Sequence, residues 1–485
     1  MRLEIAKKQE TYLVYGVSFM FIALNAFLIA KEFFYFSLIP LALLIVLISI
    51  YALDKMVMVT VFVTPLSIQL SDIVKGYDFD LSLPSEPLLI GILLFFIMKY
   101  LFERQFDRKI LYHPVSIAIL LNLVWILITS ITSTMPLVSF KFLTARIWFL
   151  VAFYLLATQI FRKIKNIQVY TWVYIIPFLM VIGYAWVRHA SYGFFNQQAA
   201  HFVVQPFYND HTSYGAMLAM LIPALIGFLV IQGRVRLIRK VSLWMVLLIF
   251  LTAVVFSYTR AAWLSLAGAL AVFLIIRFRI RFSLLAVFGV AALAFLYSHR
   301  TELELRLEQN RQTSSKDLLE HVKSISNVAT DASNLERLNR WSCALRMFKQ
   351  KPVFGWGPGV YMFKYAPFQL EREKTEISTN AADLGNAHSE YIGPLAESGI
   401  LGTLSFLAIV ICTIITGVRN WKRVQDKKIR ILSLSLLLGL VTYYLHGLLN
   451  NFLDTDKASA IFWAFTAAIV AIDVYHRRTV FRNSD

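Results

Sequence analysis

Apolar runs long enough to cross a bilayer recur along this chain, and they restrict its fold more than any other feature. A spanning helix needs about 17–25 mostly apolar residues. Such runs are predicted near residues 12–30, 33–53, 56–70, 87–102, 114–134, 144–161, 169–187, 212–231, 241–258, 260–277, 282–298, 392–417, 430–452 and 458–475. Two of them, 56–70 and 87–102, are short. The break at Ser257-Tyr258-Thr259-Arg260 demands a sharp hairpin. Composition agrees: 58% of residues are hydrophobic and 16% charged, where soluble domains run at roughly 45–50% and about 25%. The expected class is an all-α, polytopic integral membrane protein of 12–14 transmembrane helices.

The charges set an orientation. With a cytoplasmic N-terminus, the cytoplasmic segments collect 26 Lys and Arg against seven Asp and Glu. That excess of +19 accounts for the whole chain's +18, as the positive-inside rule requires. Both termini are therefore expected in the cytoplasm. A basic balance can also signal nucleic-acid binding. Here topology and attraction to anionic lipid account for it, and no nucleic-acid partner is expected. The first apolar run lacks a small-residue cleavage site and reads as a signal anchor. Cys343 and Cys412 fall at different levels, so no disulfide is expected. No metal-type Cys/His spacing appears, and no cofactor is expected.

Three segments follow: a transmembrane part over 1–298 with about 11 spans, an outer loop over 299–390, and a transmembrane part over 391–485 with about three. The loop holds 13 Lys/Arg and 12 Asp/Glu, near neutrality. Leucines at 303, 305, 307, 318 and 319 suggest amphipathic helices lying on the membrane or capping a cavity. Asn310 to Lys316 and Glu371 to Ala382 read as loops. Pro352-Val-Phe-Gly355-Trp-Gly357-Pro-Gly359 reads as a rigid turn cluster.

Several polar residues stand out against this background. Arg260, at an outer mouth between two spans, is suited to grip an anionic head group such as a diphosphate or to serve as an interfacial anchor. Arg337 and Arg340 share a helix face three residues apart. A diphosphate suits such a pair, and so does an ordinary solvated face with Glu336. His388 is placed to carry protons at neutral pH or to hydrogen-bond at a helix start; Glu390 and Glu397 are nearby alternatives. Asp210, in Asn209-Asp210-His211, reads foremost as a helix cap. Arg188, His189 and His211 face the same compartment. Asp78 and Asp80 have the look of a paired-carboxylate metal site, though loop acids are common, and Asp454 and Asp456 read as loop residues.

His388-Ser389, nine residues, then Gly399-x-x-Gly402 resembles the signature of bacterial O-antigen ligases. Arg337-x3-Trp341 leading to Pro352-x2-Gly355-x-Gly357 resembles the stretch before that signature, and Thr259-Arg260-Ala-Ala-Trp263 resembles the family's membrane arginine motif. The likeness runs from about Phe207 to about Leu453. It implies a GT-C-like glycosyltransferase of the bacterial inner membrane, with a periplasmic active site capped by the outer loop. The implied donor is a glycan on undecaprenyl diphosphate, the implied acceptor lipid A–core or another glycan, and the transfer inverting and metal-independent. Arg260, Arg337 and Arg340 would hold the diphosphate and His388 would deprotonate the acceptor. Arg188, Asp210, His211 and Ser389 would be accessory, with Gly399 and Gly402 as motif glycines.

A ligase in lipopolysaccharide biosynthesis is the first reading. A polymerase is the second, with Arg346 and Gly357 meeting an Arg-x10-Gly spacing once. A protein O-oligosaccharyltransferase is the third. A polysaccharide transporter would place polar or broken helices at the bilayer midplane, whereas polarity here clusters at one end of the spans.

Overall fold

The computed structural model describes residues 2–40, 43, 51–73, 81–103, 106–232, 237–280, 298, 332–374, 378 and 385–478, without the side chains of 2–10, 35, 38 and 332–334. The chain divides into two compact units, Met1–Met56 and Val57–Asp485. In the first, helix α1 (Arg2–Ala30) exposes large apolar side chains such as Tyr12, Leu13 and Phe19. Phe21 stacks on Phe36 at 5.2 Å in the short turn that follows.

Eleven helices among the described residues are long and apolar enough to cross a membrane, and each coincides with a predicted span. The chain is a polytopic membrane protein. The span predicted at 33–53 lies partly outside the described residues, and its described start is a 3-10 turn, Phe34–Leu38. The span predicted at 282–298, apart from residue 298, lies outside them, as do the amphipathic helices expected before residue 332 and the Asp78-Phe79-Asp80 motif. The span predicted at 56–70 is corrected. Helix α2 (Leu53–Val63) has 11 residues, about 16 Å at 1.5 Å per residue, roughly half a bilayer core. Pro65 in the next turn lacks the N–H that a longer helix would use. The chain then forms a two-residue strand, β1 (Ile68–Gln69), antiparallel to β2 (Ser82–Leu83).

The second unit is a helical bundle. Its long helices are α3 (Ser85–Glu103), α4 (Pro114–Ile131), α5 (Pro136–Leu150, running on to Ile160), α6 (Lys165–Tyr192), α7 (His211–Ile231), α8 (Leu237–Phe256), α9 (Arg260–Phe278), α10 (Ala332–Gln350), α11 (Ile392–Arg423), α12 (Lys427–His446) and α13 (Asp456–Tyr475). Helix α13 is the core: it is buried from Asp456 to Asp473. Its alanines admit neighbours closely, and Phe462 packs under Tyr443 and Tyr444. Outer faces of α3, α4, α8 and α9 expose Leu94, Leu120, Leu248 and Leu264. An apolar surface of that extent belongs against lipid.

Two ends of this bundle differ chemically. At one, His113, Arg419 and Arg477 surround Asp473 at 3.4, 3.0 and 2.7 Å, and Arg162 meets Asp107. At the other lie the starts of α3, α7, α9, α11 and α13. Thr259 Oγ1 donates to His211 O (2.8 Å), Glu390 N to Gly447 O (2.8 Å) and Thr134 N to Trp356 O (2.9 Å). Helix α10 and the Gly/Pro turn also sit at this second end, through Trp356 N to Ala396 O (2.9 Å) and Gly357 N to Glu397 O (2.8 Å).

Candidate active site

His388 lies just ahead of α11 with φ +47°, a left-handed backbone uncommon outside glycine. Its neighbours impose that shape. Asn386 Oδ1 accepts the His388 N–H at 3.0 Å. Ser389 Oγ accepts from the N–H groups of Tyr391 and Ile392, both at 3.3 Å, capping the helix start. Ser389 therefore fixes the loop that presents His388.

The imidazole sits among charges from two elements, α10 and the cap of α7. Burial first, then the cations of Arg337 and Arg340, push its pKa down to about 4, against smaller pulls from Asp210 and Glu336. The ring is neutral at physiological pH and keeps a lone pair for a proton.

Arg337 and Arg340 share α10, but their guanidinium groups diverge. Arg337 Nε donates to Leu449 O at 3.1 Å. Arg340 is buried, with Nε 2.6 Å from Glu336 Oε1 and its guanidinium 4.0 Å from the centre of the Tyr365 ring. Gly385 lies so close that a Cβ there would come within 2.7 Å of Arg340 Cζ. Arg340 thus anchors the segment that leads into His388, while the less buried Arg337 belongs to the loop after α12. Arg346 turns away altogether, pairing with Glu373 and donating to Phe368 O at 2.9 Å.

Arg260 is the first residue of α9, after the sharp turn at Tyr258 (φ +50°). His446, at the end of α12, adjoins the Ala261 backbone and is within electrostatic reach of Arg337 and Asp210. Asp210 caps α7, accepting from the N–H groups of Thr212 (2.9 Å) and Ser213 (2.8 Å). Its burial would raise its pKa, but the Ser213 backbone bond and the charge of His211 outweigh that and hold it below the ordinary range. His211 packs against His201, with ring centres 4.1 Å apart and planes tilted by 36°. Arg260, Arg337, Asp210, His211 and His388 thus occupy one end of the bundle. Arg188 instead ties α6 to the next loop, reaching Tyr184 Oη at 3.2 Å and Gln205 O.

The motif glycines work on α11 itself. Gly399 breaks this helix, with φ +67° and ψ −169°, and a Cβ there would strike the Val353 and Pro352 carbonyls. The carbonyls freed by the break find donors elsewhere: Ala396 O from Trp356 N, Glu397 O from Gly357 N, and Ser398 O from Trp125 Nε1 at 2.8 Å. Gly402, one turn on, packs against Ser398.

Two features escaped the sequence reading. Helix α12 stops at His446, six residues before the predicted span ends, and residues 447–455 form a loop at the site. Glu390 holds that loop: its Oε1 accepts from Tyr443 Oη (2.6 Å), Phe452 N (2.8 Å) and Leu453 N (2.9 Å). Asp456, read as a loop residue, is buried at the start of α13 and accepts from Ser67 Oγ at 2.5 Å and from Ser85 Oγ. Among the described residues, no three His, Cys, Asp or Glu side chains come together as a metal-ligand set.

A mostly helical bundle with a His–Arg cluster at one end defines the class, a polytopic membrane protein with a polar cluster at one end of its spans. Residues 244–407 match the family model described as Wzy_C, O-antigen ligase. The family comprises membrane enzymes that transfer glycans, namely ligases with related polymerases and oligosaccharyltransferases, and it implies lipid-linked glycan substrates. The match contains Arg260, Arg337, Arg340, His388, Ser389, Gly399 and Gly402; it leaves out Arg188, Asp210 and His211. No curated protein matches the chain.

Proposed function

We propose that this protein is an O-antigen ligase that transfers a glycan from undecaprenyl diphosphate to a hydroxyl of lipid A–core in the periplasm. The observation that carries this reading is the assembly of His388, Arg337 and Asp210 at the bundle end opposite the Asp473 cluster of basic residues. A cationic surface suits a diphosphate leaving group, and a neutral imidazole beside it suits an acceptor hydroxyl.

In this mechanism Arg260 and Arg337 hold the diphosphate and stabilise its charge as it departs. The acceptor oxygen attacks the anomeric carbon from the opposite face. The new glycosidic C–O bond forms as the bond to the diphosphate oxygen breaks, and that electron pair leaves with undecaprenyl diphosphate. The acceptor proton passes to His388. One displacement inverts the anomeric centre, and no step calls on a metal. Arg340 acts by positioning, with residues 299–390 as the outer loop and 1–298 and 391–485 as the membrane parts.

The test uses purified protein, undecaprenyl-diphosphate glycan, lipid A–core added or withheld, and no divalent metal. Glycan on the core, reduced at least 100-fold in His388→Ala as expected on losing a general base (about 10²–10⁴), is the expected result. Elongated lipid-linked glycan without core would replace the ligase reading by a polymerase. Transfer undiminished in His388→Ala would remove His388 from the chemistry.

A further inference from the structure

A cavity of about 260 Å³ opens at the same end of the bundle, bounded by the β1–β2 pair, the loop before α7, Asn386 and the loop after α12. It adjoins the site through two residues: Asn386, which holds the His388 N–H, and Asp210, the α7 cap. Neither Arg260 nor Arg337 lines it.

Its chemistry differs from that of the arginine cluster. Four carboxamides face it, those of Gln69, Asn209, Asn386 and Asn451. Each offers both donors and an acceptor, which matches hydroxyls that also do both. Asn451 Oδ1 is buried with no hydrogen-bond partner, an arrangement that costs roughly 1–3 kcal/mol unless something donates to it. Phe207, Tyr208 and Phe452 supply apolar ring surface between the amides. Amides around aromatic rings complement a sugar, which has hydroxyls at its edge and C–H groups on its faces.

The charges narrow the choice. Three carboxylates, of Asp210, Asp454 and Asp456, line it with one ammonium, of Lys457. Lys457 pairs with Asp456 at 3.7 Å, and Arg146, which is not part of the lining, pairs with Asp454 at 2.9 Å. The carboxylates still outnumber their cations, so an anionic ligand would meet like charge here. We infer that this cavity is a saccharide subsite for an uncharged sugar ring of the transferred glycan or its acceptor, and that it discriminates against uronic acids and phosphorylated sugars. The inference rests on the glycosyltransferase reading and adds specificity to it: the anion belongs to the arginines, the neutral ring to the cavity.

The experiment places the whole protein in nanodiscs and measures saturation-transfer NMR on the methyl glycosides of glucose, galactose, N-acetylglucosamine and glucuronic acid. Undecaprenyl diphosphate is titrated in parallel. At least one neutral glycoside should receive saturation, and the glucuronide should bind at least about tenfold more weakly than its glucose counterpart, as like-charge juxtaposition predicts. Asn451→Ala and Gln69→Ala should each weaken the neutral glycoside roughly two- to tenfold, the worth of one hydrogen bond, with melting temperature and undecaprenyl diphosphate binding kept. If undecaprenyl diphosphate binds and no neutral glycoside does, the subsite is wrong and the transferase reading stands. Glycoside binding unchanged in both variants, or equal for the glucuronide, also overturns the subsite. Glycoside binding sensitive to both variants, without any undecaprenyl diphosphate binding, would support the subsite and sink the diphosphate assignment.

Discussion

At the scale of single residues, His388 and the two arginines of α10 carry the most. His388 accepts a proton only when neutral, so activity should fall as pH drops through its pKa. In the free protein, burial and then Arg337 and Arg340 hold that value near 4. A bound diphosphate offsets those cations, and the pKa should rise. The acid limb of kcat, which reports the bound enzyme, should therefore lie at higher pH than the limb of kcat/KM, which reports the free one. Coincident limbs would mean that the arginines and His388 do not share a charged substrate. The arginines themselves should separate. Arg340→Met strands Glu336 in a buried pair and should lower stability by about 3–5 kcal/mol. Arg337→Met should leave the melting temperature near wild type and weaken undecaprenyl diphosphate binding. The reverse pattern would exchange their roles. From sequence the two were equivalent, since their spacing shows a shared helix face and nothing of Gly385 or Tyr365, which engage Arg340 alone.

At the scale of elements, the break in α11 and the loop after α12 organise the site. Gly399→Ala forces a Cβ into the Val353 carbonyl at a positive φ. Strain of that kind costs about 1–3 kcal/mol before any clash is relieved, so the variant should melt lower and lose transfer together. Unchanged melting would show that the break is dispensable. Glu390→Ala removes the acceptor of the Phe452 and Leu453 N–H groups. Their hydrogen exchange should accelerate by at least tenfold, while amides in the α13 core stay protected. Equal protection at 452 and 453 would deny the clamp. The helices were legible because apolar length alone specifies a span. The break announced itself through two glycines, but its partners did not, since Trp125 and Trp356 reach it from distant parts of the chain. The 447–455 loop was hidden because His446 and Gly447 stand in an apolar run with no charge to mark its end.

At the scale of the whole molecule, the question is which end of the second unit faces which compartment. The described helices pass back and forth between an end where basic residues gather about Asp473 and an end that holds His388. By the positive-inside rule the first is expected in the cytoplasm. A lipid-linked donor presented in the periplasm can reach His388 only if the second end faces outward, so orientation and chemistry stand or fall together. The native thiols scarcely interfere, Cys343 being buried and Cys412 lying within α11; both can be replaced by alanine. Glu371 and Gln425 are exposed at opposite ends, and each can carry a single cysteine. In spheroplasts, Glu371→Cys should react with a membrane-impermeant maleimide, and Gln425→Cys should react only after permeabilisation. The opposite pattern would turn the site toward the cytoplasm and withdraw the periplasmic donor, even if His388 proved essential. Labelling of both without permeabilisation would break the alternation of the helices themselves, which no choice of substrate could repair.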